Sequence, residues 1–278
     1  MIWMLLACES GPLRSVELEA SCADPVTGGS EEALWRVDCY RAVLELPSAQ
    51  GEERLHSAAQ AHADYMEIHG ELTHEELGDN QGFTGEYVWN RAAAAGFELS
   101  NQWISEVLAD GLGPAGAVDL WMGSVYHRAP LVDPDLSHLG FGEAGVYTSM
   151  VLVGDFPGTE GAEVIYPPDG MVGVPVDFDS DSEWPDPAPE HQLVGFPITW
   201  SVARRAEGGE LLDVKVELTG PEGELEVLLL QPEDDPWLEA MAAVVPVEPL
   251  RPASSYEVSL SGVVHDQEVE HLVRFETE

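Results

Sequence analysis

Basic residues are scarce in this chain. Lysine and arginine total 11 against 52 aspartates and glutamates, a formal net charge of −41, and Lys215 is the only lysine. A field of that sign repels phosphate backbones and anionic headgroups, which argues against nucleic-acid binding and against adhesion to an anionic membrane surface. Long apolar runs are missing too: nothing approaches the roughly 20 residues of a membrane-spanning helix. Cysteine is sparse, at three residues, an awkward odd number for an exported protein. What is present is a globular composition, 44% hydrophobic and 8% aromatic, over 278 residues. That is enough chain for two domains, each burying its own core.

The N-terminus, Met1-Ile2-Trp3-Met4-Leu5-Leu6-Ala7-Cys8, is short and apolar. Its end, Leu5-Leu6-Ala7-Cys8, resembles the lipobox of bacterial lipoproteins, in which cleavage precedes a cysteine that carries lipid. A basic leader and a full-length apolar segment are lacking. Residues 1–8 are therefore expected to be a lipoprotein-type signal with Cys8 lipidated. Giving Cys8 to lipid leaves Cys22 and Cys39 as an even pair, expected to form a disulfide in an oxidising compartment. The alternative is two buried thiols. Residues 9–30, ending in Gly28-Gly29-Ser30, read as a tether.

Beyond the tether, helical spacing runs from Glu31 to near Pro47. A stronger helix carries Leu55, Ala59, His62, Met66 and His69 and stops at Gly70. Further helices are expected over 86–95 and 115–122, and strands over 102–108, 140–147 and 149–156. The composition shifts at Gly158-Thr159-Glu160-Gly161. Past that point strand-like runs dominate, over 193–202, 211–218, 225–230, 256–263 and 271–275, with one helical possibility at 237–243. The expected class is α+β, with domains at 31–157 and 158–278.

Several short motifs, in order, carry a resemblance. They are Ala58-Ala59-Gln60-Ala61-His62-Ala63-Asp64-Tyr65-Met66, Leu72-Thr73-His74, Asn90-Arg91-Ala92 through Gly96-Phe97, Trp121-Met122-Gly123-Ser124-Val125-Tyr126-His127-Arg128, and Leu139-Gly140-Phe141-Gly142. Together they make residues 34–156 resemble bacterial members of the CAP superfamily (cysteine-rich secretory, antigen 5, pathogenesis-related). The resemblance implies an α-β-α sandwich. Tyr166-Pro167-Pro168-Asp169-Gly170 and Pro249-Leu250-Arg251-Pro252-Ala253-Ser254-Ser255-Tyr256 are similar to Ig-like sandwich modules, which implies an all-β second domain.

The resemblance further implies a cleft of two histidines and two acids that binds a divalent metal in several relatives. His74 and His127 fall on the histidines, Glu106 on one acid, and Ser124 on the position of the second acid. His74, His127 and Glu106 are thus the expected ligands of zinc or another divalent cation; the alternative is that the three form a hydrogen-bonded polar cluster without metal. With one acid gone, a weak, water-completed site is expected, since firm zinc sites take three or four protein ligands. His62 and His69, on the apolar stripe of one helix, read as packed and hydrogen-bonded side chains. Asp177-Phe178-Asp179-Ser180-Asp181-Ser182-Glu183 alternates like a calcium loop but lacks its glycine and terminal glutamate, and reads as a solvated loop.

The expected function is that of an extracytoplasmic module without catalytic activity, either a lipid-anchored protein of the bacterial cell envelope (an outer-membrane lipoprotein) or a secreted one. It would bind a lipid or sterol-like ligand or an extracellular protein, and meet the membrane only through its anchor. A metal- or histidine-dependent hydrolase acting on peptide or cell-wall bonds is the alternative, and a structural envelope protein with a vestigial cleft is the third reading.

Overall fold

The computed structural model describes residues 15–156, 158, 161–205 and 210–278. Cys8 and the lipoprotein-type signal lie outside the described residues. The first half contains helices α1 (Leu18–Ser21), α2 (Gly29–Val43), α3 (Glu53–His69), α4 (Val88–Ala94), α5 (Pro114–Gly123) and α6 (Arg128–Val132). Its strands are β1 (Gln50–Gly51), β2 (Gln102–Asp110), β3 (Leu136–Ala144) and β4 (Tyr147–Asp155). They form one sheet of order β1-β3-β4-β2, antiparallel except for β1 against β3.

The β4 run Met150-Val151-Leu152-Val153 is apolar at every position because both sheet faces are covered. Met150 and Leu152 join α2 and α5 in one core, whereas Val151 and Val153 join Leu55 and Ala59 of α3 and Ala92 of α4 in another. This is the α-β-α layering implied by the resemblance. Helix α3 begins at Glu52, whose carboxylate accepts from the Arg54 amide, and ends at Gly70, whose φ of 64° is left-handed. It lies directly on β3: a Cβ at Gly140 would stand 2.1 Å from the Leu55 carbonyl carbon, and one at Gly142 would stand 2.2 Å from the Gln60 nitrogen.

The second half holds β5 (Glu163–Tyr166), β6 (Met171–Val174), β7 (Asp177–Asp179), a 3₁₀ turn (Ser180–Ser182), β8 (Leu193–Gly195), β9 (Ile198–Val202) and β10 (Leu211–Gly220). After these come β11 (Gly223–Glu224), β12 (Val227–Leu230), β13 (Met241–Pro246), β14 (Ser255–Val264) and β15 (Gln267–Thr277). Two larger sheets result, of orders β5-β9-β13-β12 and β6-β15-β14-β10-β11. Strand β13 is buried throughout. Ala242 and Val244 face the core that also receives Val258 and Leu260 of the opposite sheet. Met241, Ala243 and Val245 face a second cluster with Phe178, Val194 and Val125, the last from the first half of the chain.

Four expectations need correction. The helix at 237–243 is a turn followed by β13; two-sided burial and pairing with β9 and β12 override the helix preference of Ala-Met-Ala-Ala. The strand expected over 193–202 is split at Phe196-Pro197, where proline offers no amide to a ladder. The turn between the paired strands falls at Gly145-Val146, where Gly145 takes φ 57°, instead of at Thr148. Finally, from Ser15 onward the expected tether is folded onto the protein. Val16 pairs with Met171, Arg36 holds Glu19 at 2.7 Å, and Cys22 is bonded to Cys39 as expected.

The close approach of α3 to β3 predicts that Gly140→Ala and Gly142→Ala each destabilise the protein by about 2–4 kcal/mol, because backbone must move to admit the methyl group. Urea denaturation of each variant beside the parent chain measures this.

Candidate functional site

A cavity of about 480 Å³ opens where the loop after α3, the end of β2, the α5–α6 junction and the 3₁₀ turn of the second half meet. His74, Ser124 and His127 all line it, with Glu75, Asp110 and Trp184. Three of the four residues expected in the cleft are thus brought together. The fourth, Glu106, is not in the wall; it lies beneath it.

Glu106 sits in the middle of β2 with its side chain 2% exposed. Its Oε2 accepts from Arg91 Nη2 at 2.7 Å and from His74 Nδ1 at 3.0 Å, and its Oε1 accepts from Ser149 Oγ at 3.2 Å. Burial pushes this carboxyl up. The His74 hydrogen bond and the charges of His62 and Arg91 more than offset that, holding it at about 2. Below it, His62 is fully buried, with Nδ1 3.0 Å from Glu76 Oε1 and Nε2 2.7 Å from the Thr73 carbonyl, so both ring nitrogens face oxygen acceptors. Glu76 is likewise buried, yet its carboxyl is held below the usual range: burial opposes this, while His62 and the amides of Thr84 and Gly85 favour the charge. The two carboxylates fix the loop that presents His74, whose ring remains 49% exposed. His69, at the end of α3, meets the Gln81 carbonyl at 2.9 Å.

The second histidine is held from the other half of the chain. Glu183, 3% exposed, takes the Val125 amide on Oε2 at 2.7 Å. Its Oε1 takes the amides of Tyr126 and His127 at 2.7 and 2.9 Å, and the His127 Nδ1 at 2.9 Å. Desolvation raises this carboxyl, but the His127 contact and the backbone amides keep it below the ordinary carboxylate range. Ser124 Oγ donates to the Trp121 carbonyl at 3.0 Å and lies 3.3 Å from His127 Nδ1. The segment 177–183, read as a solvated loop, is therefore corrected: Phe178, Ser180 and Glu183 are buried, while Asp177, Asp179, Asp181 and Ser182 face water.

Sequence reasoning missed Glu183, Arg91 and Trp184 as parts of the site. Arg91 carried a signal, a charge inside a short alanine helix, whereas Glu183 is separated from His127 by 56 positions with no spacing rule to connect them. As ligands, the expected trio does not assemble. Among the described residues no three histidine, cysteine or acidic side chains form a metal-holding group. Glu106 is buried with both oxygens engaged, so it orients His74 and is not placed to bind a metal. Each of the two cleft imidazoles engages its carboxylate through Nδ1, which leaves Nε2 outside that hydrogen bond.

Residues 36–156 match the family model described as CAP: Cysteine-rich secretory protein family, and this part of the chain is a CAP domain. Among solved structures the chain is similar to an extracellular protein containing an SCP domain from Bacillus anthracis str. Ames, at 17% identity and a TM-score of 0.41. That match covers 48% of this chain and 45% of the other, so this chain spans less than half the length of that protein. It is also similar to an outer surface protein from Borrelia burgdorferi, at 20% identity and a TM-score of 0.36, covering 43% of this chain and 86% of that one. No curated protein matches.

Two outcomes follow. Glu183→Ala leaves three backbone amides without their carboxylate and is expected to cost about 3 kcal/mol in urea denaturation. For Glu106, the folded value of about 2 lies below the ordinary 4.5, so its contribution is complete above about pH 4.5 and is lost as the pH falls towards 2. That contribution is about 3 kcal/mol, and the stability gap between parent and Glu106→Gln is expected to shrink over that acid interval.

Proposed function

We propose that this is an extracytoplasmic CAP-domain binding module that captures its ligand in the composite cleft without turning it over. The observation that carries this reading is the orientation of the two imidazoles. Each directs Nδ1–H to a buried carboxylate, and the Ser124 hydroxyl donates to a backbone carbonyl. The ring nitrogen nearest Ser124 is the protonated one, so it cannot serve as the base that would activate the hydroxyl. This weighs against the hydrolase alternative.

The Cys22–Cys39 disulfide supports an oxidising compartment. On this reading Cys8 carries the lipid that anchors the protein to a bacterial envelope membrane. The second half is read as an Ig-like module. In its support, the orders β5-β9-β13-β12 and β10-β14-β15 follow the pattern of that fold. Tyr256 at the start of β14 also accepts the Arg251 amide at 2.7 Å, in the manner of a tyrosine corner. The paired Nε2 atoms would hold zinc weakly, with water completing the shell.

Native mass spectrometry of the full chain, purified without chelator and then given zinc or lipid, tests the reading. A zinc or lipid increment that disappears in His74→Ala/His127→Ala is expected. A mass that stays bare with both removes zinc and lipid and leaves a protein ligand or a scaffold role, whereas turnover of peptide or cell-wall substrates by the purified protein contradicts the reading.

A further inference from the structure

The polar inventory of the cleft is one-sided. Apart from the Trp184 indole, every polar side chain lining it offers acceptors or has its proton committed elsewhere. Thr73 Oγ1 donates to the Glu75 carbonyl at 3.3 Å, Ser124 Oγ to the Trp121 carbonyl at 3.0 Å, and Ser182 Oγ to the Asp179 carbonyl at 2.6 Å. Both imidazoles spend Nδ1–H on carboxylates and, when neutral, keep Nε2 as an acceptor. Glu75 and Asp110 add two carboxylates, and among the described residues no lysine or arginine lines the space. A ligand that satisfies this wall must bring donors and positive charge. The apolar part of the lining, which includes Leu72 and Leu120, requires a carbon stem behind the charge.

At the mouth stands Trp184, 74% exposed and contributed by the second half of the chain. It meets Trp237 edge to face, with centroids 5.8 Å apart. An exposed indole fixed by a second indole beside carboxylates is a surface for a planar cation. Ammonium would answer the charge, but guanidinium also stacks flat and carries five donors in a fork.

Building on the binding-module reading, we propose that the cleft receives an arginine side chain presented by a partner polypeptide. The guanidinium lies against Trp184, donates to Asp110, Glu75 and the histidine Nε2 atoms, and runs its methylenes over Leu72 and Leu120. The net charge of −41 draws such a partner in. Because the second half supplies Trp184 and holds His127, recognition requires both halves of the chain.

The test is titration of the full chain with acetyl-Gly-Arg-Gly-amide and with the same peptide carrying citrulline, which keeps the shape and loses the charge, followed by indole fluorescence and histidine NMR. Saturable binding of the arginine peptide is expected, with shifts at His74 and His127 and no cleavage. The citrulline peptide, Trp184→Ala and Asp110→Asn are each expected to bind at least about tenfold more weakly. Glu270→Gln, an exposed charge change outside the cavity, is expected to bind like the parent. Equal binding of both peptides, an equal loss in Glu270→Gln, or no binding of either peptide overturns the proposal. A zinc or lipid increment in the mass experiment would still leave the binding-module reading standing. Cleavage of the peptide would overturn that reading itself.

Discussion

The two halves of this chain are held together by an exchange of buried charges, and the cleft depends on it. Glu183 reaches from the second half into the α5–α6 junction and takes three successive amides. Arg128 goes the other way. Its guanidinium is fully buried, donates to the Pro197 carbonyl at 2.7 Å, and lies 4.7 Å and 4.9 Å from the ring centroids of Tyr166 and Phe196. Burial is costly enough to bring this arginine down to about 10, so the site tolerates it only with carbonyls and aromatic faces around it. Arg204 makes a third tie. It bonds Asp133 at 2.6 Å, pairs with Glu239, and covers the Trp103 ring at 4.6 Å. Such contacts cannot be loosened one at a time without stranding a charge, which makes the relative placement of the halves specific.

This placement explains why a serine is tolerated where the resemblance calls for a second acid. Ser124 caps α5, and the carboxylate that orients His127 arrives from Glu183 instead. The two histidines thus have parallel supports from different sources: Glu106 on the central sheet for His74, and Glu183 from the β-rich half for His127. Each support is buried and ionised, and each takes Nδ1 of a histidine that lines the cavity.

Much of the first half was legible because its signals are local. The period of Leu55, Ala59, His62 and Met66 with Gly70 behind it defines α3, and Leu139-Gly140-Phe141-Gly142 leaves room for that helix. The positions of His74, Ser124 and His127 in one cleft also followed from short motifs. What escaped the sequence is non-local. Glu183 looked like one more residue in an acidic loop because nothing near it shows that its carboxylate meets backbone amides 56 to 58 positions away. Glu106 was placed in the cleft but not at its depth, since that depth is set by Arg91 and Ser149 from other elements. The 237–243 segment misled because helix preference is local, while the burial of β13 on both faces is not.

Both cleft histidines are locked by buried carboxylates through Nδ1, which leaves Nε2 as the unprotonated nitrogen of the neutral rings. Long-range proton–nitrogen NMR of the imidazoles, at a pH where the rings are neutral, reads this directly. The account predicts that His74 and His127 both carry their proton on Nδ1, against the Nε2–H form that free histidine favours. A proton on Nε2 of either ring, or averaged signals typical of a solvated side chain, would contradict it.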